Sequence, residues 1–160
     1  MMVAAPIFPA IWNIGAYEPL ADTHSSLVWK VEHKDRPGEA FVVKQLKPSG
    51  TEELRGAHYL GWRNGHGAVR LCDLQGTSML LEYAGGYHLA AHLKAGRDAE
   101  CLEIFGQVLA ALHSPSPVPV PADLQPLDRH FSGLFAVADE RPVYAEGARL
   151  SRTLGGWQVI

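Results

Sequence analysis

Alternating apolar and polar side chains predict a first strand over residues 27–33. The polar stretch 34–39, which contains a Pro-Gly pair, predicts a hairpin loop. Residues 40–46 are rich in the branched and aromatic side chains that favour a second strand. Two further strands are predicted over residues 69–74 and 78–83, joined by a short glycine-containing turn. The pattern therefore predicts an antiparallel sheet.

A helix is predicted between the second and third of these strands. Ser49 and Glu52 have the spacing of a capping box, which places the helix start there, and Asn64-Gly65 is a typical stop. Glu53 shares one side of this helix with the apolar residues four and seven positions later. Two strands, a helix and two more strands predict an α+β fold.

After Gly85-Gly86 the pattern becomes helical, with helices predicted over residues 89–94 and 98–113, the second capped by Asp98. The longer helix carries an apolar stripe, which the pattern predicts to be its buried side. The stripe consists of Leu102, Phe105, Leu109 and Leu112. The sequence thus predicts two parts, residues 1–84 with the sheet and residues 85–160 with helices.

Prolines at every second position make residues 114–121 extended, because proline in a helix interior removes a hydrogen bond. This favours a stiff surface connector over a polyproline motif that binds a partner. Helical patterns resume over residues 127–138 and 143–154, and Gly155-Gly156 is expected to end the last helix.

Composition and charge narrow the possible classes of function. A chain of 160 residues with 47% apolar residues suits a globular fold with a core, and a net charge of −3 argues against a nucleic-acid binder. No stretch reaches the roughly 18 apolar residues of a membrane span, and residues 1–10 lack the basic leader of a signal peptide. The distant cysteines Cys72 and Cys101 favour a reducing compartment. We expect a cytoplasmic protein.

Lys44 lies among branched apolar residues in the second predicted strand. An ammonium group is costly to bury unless an anion meets it, although lysines also occur at sheet edges, where their stems lie along the surface. The following helix places Glu53 on its inward side. A strand lysine paired with a helix glutamate is how protein-kinase-like folds hold a lysine against nucleotide phosphates. Glu53 could equally be solvated, so both possibilities stay open on spacing alone.

Two other segments could contact a nucleotide. Glu82, Tyr83 and Ala84 lie at a strand end before the helical part, where backbone amide and carbonyl groups could bind an adenine edge. An ordinary connector without a ligand is the alternative. Ser25 and Ser26 precede the first predicted strand, and their hydroxyl groups could donate to phosphates, although this loop contains no glycine to ease backbone approach.

The histidines do not form a convincing reactive group. His88 and His92 have the i, i+4 spacing that can chelate a metal on a helix, but a third ligand is not evident. His24, His113 and His130 have no neighbouring serine and aspartate that would suggest a triad. We therefore assign neither a metal site nor a catalytic residue from the sequence.

Taken in order, these residues resemble the aminoglycoside phosphotransferase family, in particular its streptomycin and hydroxyurea kinase-like branch. The resemblance spans roughly residues 27–140 and rests on several segments. They are Phe41-Val42-Val43-Lys44, Glu53-Leu54-Arg55-Gly56-Ala57-His58-Tyr59-Leu60, Gly65-His66-Gly67-Ala68-Val69-Arg70-Leu71, Leu80-Leu81-Glu82-Tyr83-Ala84-Gly85, Val108-Leu109-Ala110-Ala111-Leu112-His113 and Asp123-Leu124-Gln125-Pro126-Leu127.

The resemblance implies a kinase-like fold of two lobes that binds ATP with Mg²⁺ and phosphorylates a small, aminoglycoside-like alcohol. Lys44 would then contact the α- and β-phosphates, and Glu53 would orient it, with Glu52 competing for that alignment. The backbone of residues 82–84 would hold adenine. Residues 1–84 would form the smaller lobe, and residues 85–160 part of the helical larger lobe.

The family next places a His-Gly-Asp catalytic loop and then a magnesium-binding aspartate, and neither occurs in these residues. Phosphoryl transfer depends on positioning and charge neutralisation by such groups. We therefore expect a truncated kinase-like chain that is inactive alone and self-associates through its uncovered helical stripe. The alternatives are a non-catalytic module that binds a nucleotide or a protein partner, and a gene remnant without a ligand.

Overall fold

The chain divides between Pro117 and Val118 into two units, in a computed structural model that describes residues 6–124 and 126–154. The first unit is built on five strands. They are β1 (Ile14–Asp22), β2 (Ser26–His33), β3 (Arg36–Leu46), β4 (Leu71–Gln75) and β5 (Ser78–Glu82). All pairings are antiparallel, in the order β1-β2-β3-β5-β4. The predicted α+β class is confirmed.

Three helices complete the first unit. They are α1 (Leu54–Arg63), α2 (Leu89–Lys94) and α3 (Asp98–Leu112). A 3₁₀ segment, Pro48–Glu53, leads into α1, and Asn64 ends that helix in a left-handed conformation with φ of 46°. The capping box expected from Ser49 and Glu52 is wrong, because the Ser49 hydroxyl donates instead to the carbonyl of His24 at 2.7 Å. Asp98 likewise makes no capping bond, because it lies inside α3.

The sheet is packed on both faces, which we call the outer face and the helix face. The outer face buries Trp29, Val31 and Val43 beneath Trp12, which belongs to the chain segment before β1. The helix face packs against α1. Its buried residues are Leu46, Ala57, Met79 and Leu81. Successive side chains of a strand point to opposite faces, so β3 contributes to both cores.

Strand β1 was not expected from the sequence. It lies at the edge of the sheet and pairs only with β2, and most of its residues are exposed. It contains Pro19, which lacks an amide hydrogen and is tolerated in a sheet chiefly at such edges. Because neither face of the strand is well buried, the residues show no clear alternation.

Arg63 fastens the end of α1 to the end of α3. The arginine is almost fully buried, with 3% of its surface exposed. Its guanidinium donates to the carbonyls of His66, Ala111 and Ser114 at 3.1, 2.6 and 3.1 Å. Gly67 also lies close against the backbone at this end of α3. Backbone carbonyls near a helix end are satisfied here by a side chain.

The apolar stripe of α3 lies largely on the surface of the first unit. Leu102 is 73% exposed, Phe105 53% and Leu109 37%, whereas Leu112 is partly buried. The expectation that this stripe would lack cover is therefore met among the described residues.

The described part of the second unit contains three helices, α4 (Leu127–His130), α5 (Ser132–Ala136) and α6 (Pro142–Leu154). The helical pattern predicted over residues 127–138 corresponds to α4 and α5, which are separated at Phe131. Phe135 of α5 lies under the guanidinium of Arg152 of α6, with 4.9 Å between the charged carbon and the ring centroid. The expected stop at Gly155-Gly156 lies outside the described residues. Among the described helices, none has the length and apolar character needed to cross a membrane.

Candidate functional site

Lys44 lies in an interior strand of the sheet. Strand β3 runs between β2 and β5, and the cross-strand neighbours of Lys44 are Val28 and Met79. Lys44 therefore does not lie at an edge of the sheet, so an edge position does not explain why a lysine occurs in this strand. Because Met79 belongs to the core of the helix face, Lys44 lies on that face as well.

Glu53 meets this lysine. The Lys44 Nζ atom lies 2.5 Å from Glu53 Oε2, where the 3₁₀ segment passes into α1. Two groups hold the pKa of the Glu53 carboxyl below its usual range. The Lys44 ammonium has the larger effect, and the hydroxyl of Ser25 has the smaller one. Glu52, the competing residue, is exposed. Of the two carboxylates, Glu53 is thus the one that contacts Lys44.

The pair is only partly shielded from water, with 29% of the Lys44 side chain and 40% of the Glu53 side chain exposed. Pairs of this kind stabilise a fold by only about 0–1 kcal/mol. A lysine held in an interior strand by so weak a stabilising contact remains available to a second anion. Its substitution therefore tests ligand binding more than folding.

Ser25 and Ser26 differ in their surroundings. They lie where the turn between β1 and β2 enters β2. Ser25 reaches the Lys44–Glu53 pair through its hydroxyl. Ser26 is buried, and its hydroxyl lies 3.1 Å from that of Thr23, inside the turn. The structure therefore brings Ser25, but not the side chain of Ser26, to Glu53, the partner of Lys44.

Residues 82–84 begin at the end of β5. The Glu82 amide donates to the carbonyl of Arg70 at 3.0 Å, and the strand ends at this residue. The Lys30 ammonium lies 5.2 Å from the centroid of the Tyr83 ring. Lys30 pairs across the sheet with Val42 and so belongs to the helix face.

Lys44 and the strand end lie at two ends of one surface. Phe41 pairs with Glu82 and Lys44 with Met79, so three residues of β3 separate the two levels. This corresponds to about 10 Å along the strand. A ligand with a planar group at one end and anionic groups at the other could contact both.

Other features lie away from this surface. A concavity of about 490 Å³ opens on the outer face against Val31, Phe41 and Leu80, on the opposite side of the sheet from Lys44. Among the described residues, no three His, Cys, Asp or Glu side chains are grouped as metal ligands. His92, one of the two histidines with the spacing of metal ligands on a helix, instead lies beside Glu100, at 3.3 Å.

Sequence reasoning missed Lys47 and Gly50. Both contact the turn that carries Ser25, through hydrogen bonds of Lys47 and a close backbone approach at Gly50. Their signals were weak, because a lysine after a strand and a glycine after a proline are both common at ordinary turns. Only their contacts in space distinguish them.

Comparison with known proteins identifies the family. The model of the family described as aminoglycoside/hydroxyurea antibiotic resistance kinase matches residues 12–154. A streptomycin 3''-kinase of Klebsiella pneumoniae is 33% identical over 144 residues, covering 89% of this chain and 52% of that protein. The chain thus spans about half the length of this relative. The resemblance inferred from the sequence is confirmed, and the chain belongs to the aminoglycoside/hydroxyurea antibiotic resistance kinase family.

Proposed function

We propose that this chain binds ATP on the helix face of its sheet. Lys44 contacts the α- and β-phosphates, Glu53 orients Lys44, and the backbone of residues 82–84 holds the adenine. Ser25 lies beside the phosphates through its hydroxyl group, whereas the backbone amide of Ser26 already donates to the Thr23 hydroxyl. The observation that carries the proposal is the 2.5 Å contact between Lys44 and Glu53 in an interior strand.

The residues present fit the charge of a nucleotide. One carboxylate meets Lys44 from the side of α1. A lysine ammonium has three donors, so further acceptors such as phosphate oxygens can be accommodated beside Glu53. The Tyr83 ring, with Lys30 over it, lies toward the end of the sheet assigned to the base. When bound, ATP supplies a transferable phosphoryl group.

Magnesium enters the proposal as part of the nucleotide. Mg²⁺ is commonly held by substrate phosphates together with one or two carboxylates. Since the described residues contain no grouped set of metal ligands, we assign the ion no protein ligand here.

The acceptor proposed for the whole protein is an aminoglycoside-type alcohol. This rests on the family and on the name of the related streptomycin 3''-kinase. The 160 residues contain no His-Gly-Asp sequence, so we propose nucleotide binding without phosphoryl transfer for these residues alone. A cytoplasmic location and a lobe boundary after residue 84 likewise stay predictions.

Thermal unfolding with and without Mg-ATP tests the proposal, using the wild type, Lys44→Ala and the control Lys34→Ala. Lys34 lies just beyond the other end of β2 from Ser25 and is exposed. A ligand at about a hundred times its dissociation constant stabilises the folded state by about 2.7 kcal/mol. We expect the wild type and Lys34→Ala to gain this stabilisation and Lys44→Ala to lose most of it. Absence of any shift in the wild type at millimolar Mg-ATP would refute nucleotide binding.

The exposed stripe of α3 favours a second function, that of an interaction module. We propose that it binds a second copy of this chain, since exposed apolar patches of this kind mark association surfaces. Light scattering after size exclusion tests this with Phe105→Glu, which places a charge on the 53% exposed Phe105. The wild type should form dimers that the substitution dissociates. A monodisperse wild-type monomer would contradict it, and together with the absence of nucleotide binding would favour a remnant without a ligand.

A further inference from the structure

The turn between β1 and β2 is fastened to the segment that follows β3. Its three consecutive carbonyl groups each accept a hydrogen bond from that segment. The carbonyl of Thr23 accepts from Lys47 Nζ at 2.5 Å, and that of His24 from Ser49 Oγ at 2.7 Å. The carbonyl of Ser25 accepts from the Lys47 amide at 2.8 Å. The turn is thus held along its whole length.

An ion pair adds to this attachment. Lys47 Nζ also lies 2.5 Å from Asp22 Oδ1, at the end of β1. One ammonium group therefore binds both the strand end and the turn. Because Lys47 extends from the chain directly after β3, the turn follows the position of the strand that carries Lys44.

Gly50 sets the distance between the turn and the 3₁₀ segment. A Cβ atom at this position would lie 2.2 Å from the carbonyl oxygen of Ser25 and 2.8 Å from its Cβ atom. Contacts this short do not occur, and the oxygen belongs to the backbone, so the turn itself would have to move. Only glycine allows the observed approach.

The same segment also presents Glu53. Gly50 and Glu53 both belong to the 3₁₀ segment Pro48–Glu53. Gly50 contacts the backbone of Ser25, while Glu53 interacts with the Ser25 hydroxyl and with Lys44. One short segment therefore sets the position of Ser25 relative to the lysine.

The hydrogen bonds from the segment after β3 occupy the carbonyl groups of the turn but leave some of its amide groups without a partner in the described part of the chain. The amides of His24 and Ser25 have no acceptor among the residues that the structure describes. Consecutive backbone amides in a turn are suitable donors to an anion. A turn held by its carbonyls beside a lysine is thus suited to meet phosphate oxygens.

We propose that Gly50 and Lys47 are positioning residues for phosphate recognition. They hold the β1–β2 turn where Ser25 joins Lys44 and Glu53, and so act on a nucleotide without contacting it. This inference rests on the proposed nucleotide site. It adds that affinity for the phosphates depends on a glycine outside that site.

The test compares Gly50→Ala with the matched control Gly56→Ala. A Cβ atom at Gly56, in α1, would have no atom within 4 Å. NMR titrations of both variants and the wild type with ADP and with adenosine follow weak as well as tight binding. We expect Gly50→Ala to weaken ADP binding about tenfold or more, equivalent to about 1.4 kcal/mol, and to leave adenosine binding unchanged. Gly56→Ala should match the wild type with both ligands.

The ratio of the two affinities separates positioning from general damage. Equal weakening of ADP and adenosine binding by Gly50→Ala would overturn the inference, as would a variant that binds both ligands as tightly as the wild type. A wild type that binds neither ligand would instead overturn the nucleotide site itself. If Gly50→Ala does not fold, Lys47→Met with the control Lys34→Met decides by the same ratio.

Discussion

Replacing Trp12 by phenylalanine should destabilise the protein in a pH-dependent way. The Trp12 indole Nε1 donates to Asp73 Oδ2 at 2.6 Å and joins the segment before β1 to β4. This bond holds the pKa of the Asp73 carboxyl below its usual range, and a hydrogen bond from Gln75 has a smaller effect in the same direction. Phenylalanine keeps an aromatic ring over the outer face but has no donor.

The magnitude follows from the type of bond. Hydrogen bonds to charged groups contribute about 1.5–3 kcal/mol, and the partial exposure of Asp73 places this one near 1.5 kcal/mol. Because the folded-state pKa of Asp73 is lowered, the contribution is present above the ordinary aspartate pKa of 3.8 that applies in the unfolded state. It is lost as pH falls through the lower folded-state value.

Urea unfolding between pH 7 and pH 3 measures this contribution, with Trp29→Phe as the control. Trp29 is buried in the same core, 4% exposed, but it is not among the groups that lower the pKa of the Asp73 carboxyl. Both variants lose packing. Only Trp12→Phe should lose about a further 1.5 kcal/mol in the free energy of unfolding at pH 7. This extra loss should shrink toward pH 3. If the loss in Trp12→Phe stays constant across the range, the reasoning is refuted.

Two further substitutions test the attachment of α1 to α3. Arg63→Lys should lower the free energy of unfolding by at least about 2 kcal/mol, because a single ammonium cannot serve the buried carbonyls that the guanidinium fork reaches; a urea midpoint equal to that of the wild type would contradict this. Gly67→Ala should cost more than Gly76→Ala. Both glycines have positive φ, of 77° and 59°, so each loses about 1–2 kcal/mol in backbone strain, but only at Gly67 would the new Cβ atom lie 2.8 Å from the backbone of α3. Equal melting temperatures for the two variants would show that this contact does not constrain the fold.

Elements with a strongly buried face were predictable from the sequence. Strand β2 begins one residue before its predicted start, and the end of α1 lies at the predicted Asn64-Gly65 stop. Their patterns are clear because burial of alternate residues imposes a period of two on a strand, and a left-handed residue favours asparagine or glycine. Strand β1 has little burial and so has no such pattern.

The candidate site was predictable in part for a similar reason. Lys44 stands out because a charge in an apolar strand needs a partner, and helix spacing placed Glu53 toward it. The 3₁₀ geometry before α1 was not predictable, because the spacing of Ser49 and Glu52 imitates a capping box. The contacts of Gly50 and Lys47 with the turn join residues far apart in sequence, and no local pattern encodes them.

The double packing of β3 has a consequence for how this strand tolerates change. Val43 is completely buried on the outer face, while its neighbour Lys44 lies on the helix face beside Glu53. Substitution of Val43 removes core packing and lowers the amount of folded protein, whereas substitution of Lys44 leaves folding largely intact and removes a charge. Two adjacent codons therefore govern separate traits, abundance and ligand affinity. Selection can adjust one of them while the other stays unchanged.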